Sequence, residues 1–337
     1  MSVATVSRSF SAPDSVATAT RERLLAVAAE LHYEPNRAAR GLITGRTGNV
    51  GVIVPDLGNP YFHGVLKGAQ ARARRADYAV FVADGQESAT EEEALINAMH
   101  KQVDGIVLCS SRLPAAKLAT LDHSPTVVLL NRRVPDRPSV VVDSADGMKQ
   151  AVRHLAELGH RRCVFVSGPR RSWSNQQRQQ GLRAAARTHD IEYEILGPVA
   201  PQFQSGVQTA EQVLETGATA VLAYNDLVAV GILSRLAELG VRVPDQLSVV
   251  GFDDIPLAAM VIPPLTTVSL PTMRAGEAAI DVLLERLQSR GSVQATPRKL
   301  PATLIVRSTT APPARRTKGT ARSGQAGNAV RRNGRAT

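Results

Sequence analysis

The chain has 337 residues, 43% of them hydrophobic, enough to fill the cores of two or three domains. No run of about eighteen apolar residues offers a membrane helix, and no basic start leads into an apolar stretch as in a secretory signal, so a cytoplasmic location is expected. The net charge of +10 is uneven: residues 311–337 hold Arg315, Arg316, Lys318, Arg322, Arg331, Arg332 and Arg335 and no acid, seven of the ten excess charges.

In chain order, residues 1–48 read as short helical, polar-punctuated segments. From residue 49 to 310 the pattern changes to β-branched runs alternating with amphipathic stretches. Strands are expected at 50–54, 79–83, 105–108, 127–130 and 140–142, then at 163–167, 220–223, 248–252 and 266–269. Helices are expected over 64–75, 91–101, 146–157, 175–189, 227–239 and 273–290. Strands alternating with helices of ten or more residues make parallel sheets covered on both faces. Two such series predict an α/β core of two lobes, with a ligand cleft beside the carboxyl ends of the strands. Residues 311–337, rich in Pro, Gly, Ser and Arg, read as a disordered basic tail. It is able to add weak, salt-sensitive phosphate contacts but no sequence specificity.

Polar residues collect where that cleft rule places them. Asp56 and Asn59 follow the first strand, Arg170, Arg171 and Arg178 follow 163–167, Asn225 and Asp226 follow 220–223, and Asp253 and Asp254 follow 248–252. Each alone reads as a cap or a solvated loop residue, and Asp226 in particular suits a helix N-cap. Cys109 and Cys163 lie in or beside apolar runs and read as buried thiols. No Gly-x-Gly-x-x-Gly fingerprint, phosphate loop, nucleophile elbow or metal spacing among the seven histidines marks an enzyme or a cofactor site.

A set of motifs in order and spacing then narrows the class. They are S-V-A-T-V-S-R at 2–8, T-R-E-R-L at 20–24, Y-E-P-N-R-A-A-R-G-L at 33–42 and G-V-I-V-P-D-L-G-N-P-Y-F at 51–62. They continue with H-L-A-E-L-G-H at 154–160, N-D-L-V-A-V-G at 225–231, V-P-D-Q-L-S-V-V-G-F-D-D at 243–254 and P-L-T-T-V at 264–268. In these the chain resembles the lactose-repressor (LacI/GalR) family of bacterial transcription regulators over residues 1 to about 310.

The resemblance implies a periplasmic-binding-protein-like core of two lobes joined by three crossings, preceded by a helix-turn-helix head and a hinge helix. It implies a regulator, expected to be a repressor, that binds a near-palindromic operator in double-stranded DNA. A small effector, expected to be a sugar or sugar derivative, would change operator affinity. No leucine heptads follow the core, so the expected assembly is a homodimer, with half-sites about one helical turn apart. By the same resemblance Val3, Ala4 and Arg8 face base edges, while Ser2, Thr5 and Ser7 suit phosphate contacts. Asn36, Arg37, Arg40 and Leu42 belong to a hinge at about 35–43, with Leu42 as the wedge entering a central base step. Tyr61, Phe62, Asp146, Arg178, Asn225 and Asp253 line the effector cleft, whereas Asn131 stands where the family often has aspartate. The run at 2–8 resembles the second half of a helix-turn-helix. That implies a first helix upstream of Met1, with the start expected roughly fifteen to twenty residues earlier. The competing reading is a soluble sugar-binding protein with the same core and no DNA binding.

Overall fold

The structure, a computed structural model, describes residues 2–11, 15–31, 33, 45–121, 126–289 and 296–314. The expected hinge residues Asn36 to Leu42 and the tail from residue 315 lie outside the described residues.

Among the described residues two helices belong to the head, α1 (Val3–Ser11) and α2 (Thr18–Glu30). The Ser2 hydroxyl accepts from the Thr5 amide (3.2 Å) and so ties down the first turn of α1. The two helices meet through the Arg21 Nε–H donated to the Ser9 carbonyl, and Phe10 of α1 meets Tyr33, just past α2, with ring centroids 5.9 Å apart.

The first lobe contains β1 (Asn49–Val54), α3 (Pro60–Arg75), β2 (Ala79–Asp84), α4 (Ala89–Met99), β3 (Gly105–Cys109), α5 (Ala115–Thr120), β4 (Thr126–Leu130) and β5 (Ser139–Val142). The chain then enters the second lobe with α6 (Ser144–Glu157), β6 (Arg162–Val166), α7 (Trp173–His189), β7 (Glu192–Leu196), α8 (Phe203–Glu215) and β8 (Ala220–Ala223). That lobe continues through α9 (Asp226–Glu238), β9 (Ser248–Asp253), α10 (Pro256–Met260) and β10 (Thr266–Ser269). It returns to the first lobe as α11 (Thr272–Gln288) and β11 (Arg298–Leu300), and crosses a third time into β12 (Thr303–Ile305).

The sheet orders are β11-β5-β4-β3-β1-β2 and β12-β10-β9-β8-β6-β7. All their pairings are parallel except β10 with β12. Near-continuous apolar runs explain the parallel arrangement: β1, β3, β6, β8 and β9 are buried on both faces, as helix-covered strands must be. The cores fill with Val, Ile and Leu from the strands and with the inner faces of the helices. The expected strands and helices are all present, with ends that differ by at most four residues.

Among the described core residues, six elements were not among those expected from the sequence: the short helices α5 and α10, helix α8, the edge strand β7, and the short β11 and β12 of the third crossing. Asp226 is a correction. Asn225, not Asp226, caps α9, its Oδ1 accepting from the Val228 amide (3.0 Å). Asp226 is fully buried instead, taking the Ile255 amide (2.9 Å) and the Thr267 hydroxyl (2.5 Å). It therefore staples α9 to β10 across the end of β9, and burial pushes its carboxyl well above the usual carboxylate range, with the charge of Asp253 adding to the rise.

Candidate functional site: the interlobe cleft

A cavity of about 30 Å³ lies between the lobes, with room for little more than water. Its walls come from strand ends in both sheets. Asn59, Tyr61 and Phe62 follow β1, Glu87 follows β2, Ser110 and Arg112 follow β3, and Asn131 follows β4. From the other side come Ser174 and Arg178 after β6, Tyr224 and Asn225 after β8, Asp253 at the end of β9, and Leu270 after β10. The parallel topology dictates this placement: every strand of a lobe points its carboxyl end the same way, so the loops converge on one crevice.

On the second lobe the centre is Arg178, 4% exposed. One guanidinium nitrogen donates to Asp253 Oδ1 (3.0 Å) and another to the Tyr224 carbonyl. Its carbon sits 3.8 Å from the Phe252 ring centroid and 4.7 Å from that of Tyr224. A desolvated cation held between aromatic faces is favourable only because the rings and the carboxylate share its charge. Its Nε–H is buried without a partner. Gly181 sets the position of Arg178: a β-carbon there would fall 2.2 Å from the Ala145 carbonyl oxygen, so only glycine lets α7 pack this closely on α6. Asp253 has φ of +114°, a conformation side-chain-bearing residues rarely adopt. Burial raises its pKa to about 6, against the opposing pull of Arg178.

On the first lobe Arg112 makes a two-pronged pair with Glu87 (2.6 and 2.9 Å) and donates a third bond to the Ser110 carbonyl (2.6 Å). Buried Glu92 fixes that turn from behind, accepting the Ser111 hydroxyl (2.6 Å) and the Arg112 amide (2.8 Å). Asn131 donates to the Tyr61 hydroxyl (2.6 Å) and accepts from the Val142 amide (3.2 Å). Burial raises the Tyr61 phenol's pKa, so it stays protonated.

Of the sequence-predicted cleft residues, the fold brings together Tyr61, Phe62, Arg178, Asn225 and Asp253. The amide of Asn225 is occupied at both ends, by Val228 N and by the Pro201 carbonyl (3.1 Å). Asp146 is not brought to the cluster. It is exposed on the first turn of α6, where it accepts from Gln150 Nε2 (2.8 Å). Gln150 also binds the Ala302 carbonyl and the Leu304 amide, clamping the third crossing. Arg170 and Arg171 are exposed and do not line the cavity. The residues missed were Glu87, Ser110, Arg112, Ser174 and Tyr224. The strand-end rule that found Asn225 and Asp253 applies equally to Ser110 and Tyr224, each the next residue after a strand.

In the head, Ser2 and Arg8 are exposed and Thr5 is half-buried, whereas the side chains of Val3, Ala4 and Ser7 lie outside the described set. The head enters the core through Thr47 and Gly48, both bonded to the Asp104 carboxylate just before β3 (2.7 to 3.1 Å).

Two lobes joined by three crossings, a cleft at their strand ends and an N-terminal pair of helices define a regulator with a ligand-binding core. Residues 1–36 match the family described as bacterial regulatory proteins, lacI family, and residues 152–310 match the periplasmic binding protein-like domain. The HTH-type transcriptional repressor CytR of Escherichia coli K12 is 33% identical over 320 residues, covering 92% of this chain and 93% of its own. The lac repressor dimer bound to operator and the anti-inducer ONPF superposes with a TM-score of 0.81 at 28% identity, covering 92% of this chain and 96% of its own. A LacI family regulator from Enterococcus faecium with bound ribose superposes at 0.69 with 27% identity, over 78% of this chain and 99% of its own. The chain belongs to the LacI family of bacterial transcriptional regulators. It is a DNA-binding regulator, and among its described residues no helix is long and apolar enough to cross a membrane.

Proposed function

We propose that the chain is a cytoplasmic, homodimeric transcriptional repressor, not an enzyme, whose effector is a neutral polyhydroxylated molecule, a sugar or a nucleoside, bound between the lobes. One observation carries the effector class: each cation lining the cleft is already matched by a carboxylate, Arg112 by Glu87 and Arg178 by Asp253. An anionic effector would break one of these buried pairs and strand a carboxylate, at a cost of several kcal/mol. Hydroxyls fit the same groups without that cost. Asp253 and Glu87 accept, Arg178 Nε and the amides of Asn59 and Asn131 donate, and Tyr61, Phe62 and Tyr224 offer ring faces.

The assignment of segments follows. Residues 1–48 form the head with a hinge at about 35–43, residues 49–310 the effector and dimer core, and the basic tail lies beyond. Ser2, Val3, Ala4, Thr5, Ser7 and Arg8 meet the major groove, and Asn36, Arg37, Arg40 and Leu42 the minor groove and backbone of a near-palindromic operator. Effector and operator are coupled only through the effector's preference between lobe arrangements, since a ligand shifts an equilibrium by its differential affinity alone.

A thermal-shift panel tests the effector class. Ribose, cellobiose and uridine are compared with ribose 5-phosphate and uridine monophosphate at equal concentration. A neutral ligand at a hundred times its Kd stabilises by ~2.7 kcal/mol, which for a core of this size is a rise of roughly 5–10 °C. The expected result is a rise with a neutral compound and a smaller one with its phosphate. A larger rise with either phosphate overturns the neutral-effector assignment.

A further inference from the structure

Two groups face the cleft with bonding capacity that no described residue uses. On the first lobe it is the Tyr61 hydroxyl, and on the second the Asp253 carboxylate. Both line the cavity of about 30 Å³, the space of one water molecule or one hydroxyl group.

The direction of the Tyr61 hydroxyl follows from its neighbours. The Val142 amide can only donate, so the atom of Asn131 that it meets at 3.2 Å is Oδ1. This turns Nδ2 toward Tyr61, 2.6 Å from the phenol oxygen. An amide nitrogen also can only donate, so the phenol accepts from Asn131 and keeps its own proton to donate elsewhere. No described residue accepts that proton. Burial, and then the charge of Asp253, push the phenol above its ordinary pKa, so the proton stays in place. The ring is held as well. The Tyr61 amide is tied to Asn59 Oδ1 (3.0 Å), and the ring stands edge-on to Phe62 with centroids 5.0 Å apart.

Asp253 presents the opposite polarity. Its Oδ1 is taken by Arg178 (3.0 Å), whereas Oδ2 has no donor among the described residues. A buried carboxylate oxygen without a donor is costly. An atom lodged between Tyr61 and Asp253 therefore has to accept from one and donate to the other. A hydroxyl does both through a single oxygen. A carbonyl has no proton to give, and an ionised carboxylate or phosphate oxygen would meet Asp253 as a like charge.

We propose that Asn131 is a positioning residue that aims the Tyr61 hydroxyl as a donor, and that one effector hydroxyl bridges the lobes by accepting from Tyr61 and donating to Asp253. This rests on the neutral polyhydroxylated effector proposed above and names the one hydroxyl that both lobes share. The bonds run in one direction, from the Asn131 amide through the Tyr61 and effector hydroxyls to the Asp253 carboxylate, and ending on a charge strengthens them. Because the two ends belong to different lobes, that hydroxyl favours the closed arrangement.

The test is calorimetry at pH 7 on the full chain, Asn131→Asp, Tyr61→Phe and Asp253→Asn, with melting temperatures to confirm that each variant folds. The ligands are ribose, cellobiose and uridine, and the single-deoxy derivatives of each compound that binds. One deoxy position should cost roughly ten- to a hundredfold in affinity. Asn131→Asp still accepts the Val142 amide, but it draws the Tyr61 proton to itself, so it should weaken the parent compound as much as Tyr61→Phe does. A residue that only held the strand end would leave affinity unchanged in this variant. On the critical deoxy analogue the losses from Asn131→Asp, Tyr61→Phe and Asp253→Asn should all disappear. Losses from Tyr61→Phe and Asp253→Asn that disappear on different analogues overturn the proposal, as does full affinity in Asn131→Asp. If none of the three compounds binds, the neutral-effector reading fails on its own account. A crystal structure of the ligand-free full chain then decides the bridge: a water bonded to both Tyr61 Oη and Asp253 Oδ2 supports it, and the lack of such a water overturns it.

Discussion

Asp253 concentrates the chemistry of the cleft in one side chain. Its folded pKa of about 6 stands above the ordinary carboxylate value of about 3.9. The folded protein thus binds this proton more tightly than the unfolded chain does. The associated stability is fully present below about pH 4 and is lost as pH rises through 6. Two pKa units correspond to roughly 2–3 kcal/mol. Asp253→Asn does not titrate, so urea melts at pH 4 and pH 7 should show the variant gaining about that much relative to wild type at the higher pH. A constant difference would show that burial does not govern this carboxyl. Binding has the opposite sign. Effector hydroxyls donate to the ionised carboxylate, so affinity for an active neutral ligand should fall as pH drops below 6, and Asp253→Asn should weaken it ten- to a hundredfold at pH 7 by calorimetry. At this scale the sequence disclosed Arg178 and Asp253 through strand ends and motif spacing. It could not disclose Arg112, because its role depends on Glu87 lying beside it across two loops that are distant in sequence.

Helix pairs in both lobes touch backbone to backbone. In the first lobe α3 and α11 meet where a β-carbon on Gly276 would lie 2.0 Å from the Val65 carbonyl oxygen. Gly276→Ala should therefore destabilise by about 1–3 kcal/mol through forced separation. Helix propensity alone predicts the reverse, a gain of about 1 kcal/mol. Urea unfolding separates the two, and a stabilised variant would disprove the close contact. The same tension explains which elements could be read in advance. The strands of the buried centre, such as Cys163–Val166 in β6, carry unbroken apolar runs. The edge strand β7, Glu-Tyr-Glu-Ile-Leu, is half exposed and charged, so it lacks that signature. Helix α8 contains Gly206, Ser205 and Thr209, weak helix formers that are kept because Gly206 packs on the Val228 carbonyl. The three-residue β11 and β12 have no periodicity to read, and they exist only because the third crossing brings each beside a finished sheet.

At the scale of the whole molecule, the cleft has room for little more than water as it stands, so the proposed effector calls for the lobes to part and then shut on it. The single tryptophan reports on this motion. Trp173, half-buried, begins α7 and adjoins Ser174 on the cleft wall. Stopped-flow fluorescence with an effector found in the ligand panel should show a rate that saturates with concentration at the rate of opening. A rate rising linearly throughout the accessible range would mean that the cleft is open in solution. Gln150 holds the last of the three crossings, and the Asp104 carboxylate clasps Thr47 and Gly48 where the chain enters the core. Thr47 and Gly48 attach at the amino end of the first sheet, whereas Thr309 and Ala311 attach at the amino end of the second.

The sequence by itself determined the alternation of strands and helices, the two lobes, the family, and the residues that sit next to a strand end. Those are consequences of local pattern: apolar runs, helix periodicity and motifs carried in order. Only the tertiary structure decided that every cation in the cleft has its own carboxylate, that Asp226 is a buried staple while Asn225 caps the helix, and that Asp146 belongs to a crossing rather than to the pocket. The reason is physical. Burial and pairing are set by groups brought together from 20 to more than 150 residues apart, as Arg112 with Glu92, Arg178 with Asp253 and Gln150 with Leu304 are here, and no local pattern encodes which of them will meet.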